Sequence, residues 1–147
     1  MSDQAAAVRP DTAFWIIGVV ALLWYLFGLY IYYMGVTATP DELAAMMTPA
    51  QVAVFAATPA WVTSANAIAV TAGVIACILM LLCNSLAVPF FALSLIAAVV
   101  QDIYVFFMSD SLDAFGLQPV VIQGFVLVIG VFMLMYTRRK KTQGVLT

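Results

Sequence analysis

Asp102 is the only acid inside any apolar run of this 147-residue chain, and it sits beside Gln101 in Leu86 to Met108, LAVPFFALSLIAAVVQDIYVFFM. A helix needs about 20 apolar residues to cross a bilayer, so this run spans and the pair lies at membrane depth. Intramembrane acids are costly to insert and are functional candidates by default. No basic residue lies in any apolar run to neutralise Asp102. A desolvated carboxyl group of that kind can exchange a proton, as a proton-coupled carrier requires, or hold a polar ligand.

Other polar groups fall at the same level. Counted inward at 1.5 Å per residue, Asp102 lies about 9 Å deep, Asn66 about 8 Å and Gln123 about 6 Å, with Tyr32 close to them. Ser94, Ala98, Gln101 and Asp102 fall within an arc of about 100° on one helix, and Trp24, Tyr25, Gly28 and Tyr32 share a face of another. The candidate ligand- or proton-binding set is therefore Asp102, Gln101, Asn66, Tyr32 and Gln123. The competing expectation is that these groups only satisfy one another. Inserting an Asp costs about 2.5 to 3.5 kcal/mol, and each Leu, Ile, Phe or Val returns about 0.3 to 0.6, so this run can carry Asp102 without a function. Interhelical hydrogen bonds of that kind contribute about 0.6 kcal/mol each. Tight pairing would favour glue; a cavity opening between the helices would favour a ligand site.

Enzyme chemistry has little to rest on. The chain contains no His, the commonest general base and metal ligand. No second acid accompanies Asp102, no base accompanies a Ser or Cys, and no metal-ligand cluster is visible. The expectation is no enzyme, no catalytic residues, no metal and no cofactor. Cys77 and Cys83 lie six residues apart, point in different directions on a helix and read as packing thiols rather than a disulfide.

The elements that must position the candidate set follow from composition. Hydrophobic residues make up 66% of the chain and charged residues 8%, against about 25% charged in a soluble domain, so this is a polytopic membrane protein in a single membrane domain, 1–147. Spans are expected at 13–35, 61–83, 86–108 and 119–136. Ala65, Ala69 and Gly73, with Ala72 and Ala76 alongside, form the small-xxx-small pattern of close helix packing, which makes the second span central and turns Asn66 inward. Thr39-Pro40, Thr48-Pro49 and Thr58-Pro59 each read as a helix start. Glu42 and Gln51 complete capping boxes for the first two. Short helices at 40–47 and 49–57 follow, with Leu43, Met46, Met47, Val52 and Phe55 giving them apolar faces that lie in the interface or fold over the bundle mouth. Cys83-Asn84-Ser85 is a tight turn, and Ser109 to Gln118 is a second outer loop.

All five basic residues, Arg9, Arg138, Arg139, Lys140 and Lys141, lie in the two tails, whereas the outer loops carry Asp41, Glu42, Asp110 and Asp113. The positive-inside rule then puts both termini in the cytoplasm. The basic cluster after the last span reads as a topology and headgroup signal, not as a nucleic-acid patch.

The stretches LLWYLFGLYIYYM, TPAWVTSANAIAV followed by LLCNSLAVPFFALSL, and VVQDIYVFF together resemble a family of small four-span bacterial inner-membrane proteins, sometimes labelled sugar transporters. The likeness covers most of residues 14–137 and implies the fold, a bacterial inner membrane and, through the label, transport. The expected architecture is all-α: an antiparallel four-helix transmembrane bundle with two short extracytoplasmic helices between spans 1 and 2. The expected function is that of a non-enzymatic structural or accessory protein, or a bundle binding a lipid or small ligand. The alternative is an oligomeric carrier of a small solute, such as a sugar, or a proton-coupled carrier centred on Asp102. Expected partners are the lipid bilayer, further copies of the chain or a larger membrane complex, and a small molecule whose identity the sequence leaves open.

Overall fold

The computed structural model describes residues 8–147; Asp3 of the polar leader lies outside them. Among the described residues the chain is helical throughout and has no strand. Four helices are long and apolar enough to cross a membrane: α1 (Thr12–Thr37), α4 (Ala60–Leu81), α5 (Ala87–Ile103, carried on by a π-helical turn to Met108) and α7 (Gln118–Thr142). Three short helices join them at one end: α2 (Pro40–Met46), α3 (Pro49–Ala57) and α6 (Ser111–Phe115). The protein is a multi-pass integral membrane protein. Its long helices turn Leu23, Phe27, Ile96, Phe125 and Val128 outward, far more exposed apolar surface than a water-soluble monomer carries.

The antiparallel pair α4 and α5 forms the centre; α1 packs on α4, and α7 on α5. Small residues set how closely they approach. Ala65, Ala69, Ala72, Gly73, Ala76 and Cys77 are all buried along α4. Tyr25 of α1 lies against Gly73, where any Cβ would overlap its ring, and faces Phe91 of α5 with ring centroids 6.1 Å apart. Ser94 Oγ donates to the Ala69 carbonyl at 2.6 Å, which fixes the α4–α5 register at mid-bundle. Gly130 of α7 completes this layer: a Cβ there would meet Leu95 at 3.1 Å and the Tyr25 hydroxyl at 4.0 Å.

At the end where α1 begins and α7 ends, the bundle is densely filled by Phe14, Met80, Ala87 and Met133. The chain contributes an unexpected piece here. After α7, Gly144 adopts φ +84, and the Gly144 and Val145 amides bond back to the Lys141 and Lys140 carbonyls at 3.1 and 2.9 Å, a Schellman stop. Val145 and Leu146 then fold into the core cluster that also holds Phe14. The Thr147 amide donates to the Cys83 carbonyl at 2.9 Å, and Ser85 Oγ donates to the Thr147 carbonyl at 3.2 Å.

Several boundaries differ from the sequence reading for identifiable reasons. The fourth span continues past Tyr136 through the basic cluster to Thr142, because Arg and Lys are good helix formers and suit a helix C-terminus. Thr39 and Thr48 cap α2 and α3 with full capping boxes. Thr58 does not start α4, whose N-cap is Pro59; its hydroxyl instead donates to the Val54 carbonyl at 3.0 Å, closing the end of α3. The second outer loop contains α6, and the third span ends in a π turn, Tyr104–Met108.

Candidate functional site

At the loop end the spans diverge. Their lower parts are held together by the Tyr25, Gly73, Ser94 and Gly130 layer, while α1 and α7 make no extended backbone contact. Above that layer lies a cavity of about 360 Å³, within the range of small-molecule sites. Each of the four spans supplies it with a polar side chain: Tyr32 from α1, Asn66 from α4, Gln101 from α5 and Gln123 from α7.

Helical periodicity explains the convergence. Asn66 sits one turn above Ala69, Gln101 sits two turns above Ser94, and Tyr32 sits two turns above Tyr25, so each continues an inward face into the region where the backbones part. Thr63, one turn above Asn66, and Tyr104, one turn above Gln101, extend the wall, and Gln118 and Ser111 add polar groups near the rim. The sequence reading missed these four, although Thr63 and Tyr104 are legible as the next inward positions on their helices. Ile31, Val36, Val54, Phe55, Val62 and Ile122 supply apolar surface. Among the described residues, no Asp, Glu, Lys or Arg lines the cavity.

Two of the short helices, α3 and α6, roof it. Gln51 Nε2 donates to the Ala114 carbonyl at 3.3 Å, tying α3 to α6. Tyr104 donates to the Ala57 carbonyl at 3.3 Å, tying α5 to the end of α3, and its ring meets Trp61 edge-on at 5.7 Å. The π turn that starts at Tyr104 re-aims the last turn of this span, a feature frequent at functional sites.

Asp102 stands apart from the other four. It is buried but does not line the cavity. Adjacent helical residues point about 100° apart, so with Gln101 in the wall Asp102 continues the α5 stripe of Ala87, Phe91, Ser94 and Ala98 that is buried in the bundle. The antiparallel Ser94–Ala69 register sets it level with Trp61. Both carboxyl oxygens are sealed, with no hydrogen-bond partner among the described residues. Cys77 is a buried free thiol in the core, and Cys83 a half-buried free thiol in the α4–α5 turn.

The arrangement offers hydroxyl and carboxamide donors and acceptors beside an apolar surface, with no charge. A charged ligand would find no counter-ion in it, whereas an uncharged molecule with hydrogen-bonding groups would find partners on every side. No family model matches this chain, and no curated protein and no solved structure matches it.

Proposed function

We propose that this protein is a non-enzymatic membrane-embedded binding protein that holds a small uncharged molecule between its four spans. The observation that carries this reading is the convergence of Tyr32, Asn66, Gln101 and Gln123 on one open cavity, where a bundle glued by polar pairs would have closed. With the basic cluster at the end of α7 on the cytoplasmic side, the cavity belongs to the outer half of a bacterial inner membrane. A neutral hydrogen bond contributes about 0.5 to 1.5 kcal/mol, so removing one raises Kd by up to about tenfold. Native mass spectrometry of gently extracted protein tests this. A retained uncharged molecule should be present in the parent chain and depleted in Asn66→Leu and Gln123→Leu, and retention unchanged in both variants would defeat the proposal. A proton-coupled carrier is the second reading, supported by one observation: Asp102 is buried, unpartnered and next in sequence to the cavity wall. It requires Asp102→Asn to abolish uptake into vesicles while leaving retention of the molecule intact.

A further inference from the structure

Packed elements wall the cavity on several sides. Its back is the α4–α5 pair, and its roof is α3 and α6, joined by the Gln51–Ala114 hydrogen bond. The roof also reaches α1, where the Phe55 ring lies 3.3 Å from the position of a Cβ on Gly35. One opening is the gap between α1 and α7, which make no extended backbone contact. Its rims, Ile31 and Ile122, are apolar and 53% and 47% exposed, and they lie on spans, so the gap faces lipid hydrocarbon rather than water.

We infer that the ligand is a lipid with an uncharged, hydroxyl- or carbonyl-bearing headgroup, which enters sideways between α1 and α7 and leaves its acyl portion in the bilayer. The inference rests on the binding-protein reading above and adds the ligand class and its route. Three features select that class. The wall is polar without any charge, which suits a neutral head and leaves a phosphate unpaired. The cavity of about 360 Å³ lies at the small end of small-molecule sites, room for a headgroup and not for a whole two-chain lipid. The opening between α1 and α7 leads into hydrocarbon, the phase in which a lipid travels.

The test uses the full chain in phosphatidylcholine nanodiscs carrying a diacylglycerol with a diazirine at the head end of one chain, compared with the matching phosphatidic acid probe. Both probes partition into the bilayer, and only the first is neutral. After illumination, the diacylglycerol should label peptides containing Thr63 to Asn66 and Gln101 to Val105 at least tenfold more than the phosphatidic acid. Ile122→Trp and, on the opposite rim, Ile31→Trp should each reduce that labelling several-fold by filling the gap. Equal labelling by the two probes, confined to exposed positions such as Ile96 and Phe125, would overturn the inference. If native mass spectrometry then still found a water-soluble uncharged molecule that is lost in Asn66→Leu, the lipid route would be wrong and the binding reading would stand. If it found none, both would fall.

Discussion

Gly73→Ala is the sharpest perturbation of the packing beneath the cavity. The added Cβ would fall inside the Tyr25 ring, and that ring has little room to retreat, because Tyr25 is buried and faces Phe91 across the bundle. Over-packing of this kind costs about 1 to 3 kcal/mol, and the overlap puts this site at the upper end. Alanine recovers up to about 1 kcal/mol of helix propensity, leaving a net loss of about 2 kcal/mol. At about 2 to 4 °C per kcal/mol for a chain of this size, the Tm falls by about 4 to 8 °C. Two other glycines calibrate the measurement. A Cβ at Gly18 would meet Leu81 Cδ2 at 2.6 Å, the movable end of a flexible side chain, so Gly18→Ala should lose less than about 1 kcal/mol. Gly124 has nothing within 4 Å, so Gly124→Ala should be neutral or stabilising. Thermal unfolding of the three variants in one detergent and lipid mixture gives the ranking. In a Tyr25→Ala background, itself about 3 to 5 kcal/mol less stable, Gly73→Ala should cost nothing. If its cost persisted there, or if the three glycines behaved alike, the account of the Tyr25 layer would be refuted.

The tail at the opposite end should matter comparably. Leu146 is buried in the same core cluster as Phe14, Met80 and Cys77, so Leu146→Ala should cost at least about 2 kcal/mol and loosen that cluster enough for N-ethylmaleimide to reach Cys77; an unreactive Cys77 with unchanged Tm would contradict the packing. Replacing Asp102 with Leu removes two buried, unpartnered oxygens and should raise stability by about 1 kcal/mol or more; a loss of that size would show that something outside the chain pairs with the carboxyl group. Thr48→Ala removes the capping box of α3 and should weaken that helix by about 1 kcal/mol, read as faster amide exchange over Val52 to Ala57 with little change in Tm.

The sequence carried much of this because membrane helices obey a few strong rules. Span positions follow from run length, the small-residue face of α4 from four-residue spacing, and α2 and α3 from their Thr-Pro starts with Glu42 and Gln51. The level of Tyr32, Asn66, Gln101 and Gln123 came from counting along each span, and all four line one cavity. The cavity itself was not legible, because it depends on where α1 and α7 diverge, and divergence is a property of packing between helices rather than of any one of them. Grouping Gln101 with Asp102 was a matter of resolution: one arc of about 100° is wide enough to hold a cavity-facing residue and a sealed one. The tail was readable but overlooked. Gly144 after a basic last turn, followed by Val145, is the signature of a Schellman stop with an apolar residue behind it.

The central claim is that the polar residues of the four spans surround reachable space. Its most direct test is the reaction of N-ethylmaleimide with the Asn66→Cys variant, using the fully buried native Cys77 as the internal standard of an inaccessible thiol. The account predicts that the introduced thiol reacts readily in the folded protein and that an Ala69→Cys variant, one turn deeper, does not. An Asn66→Cys variant as inert as Cys77 would mean that the spans close on one another there, and that the polar groups are glue.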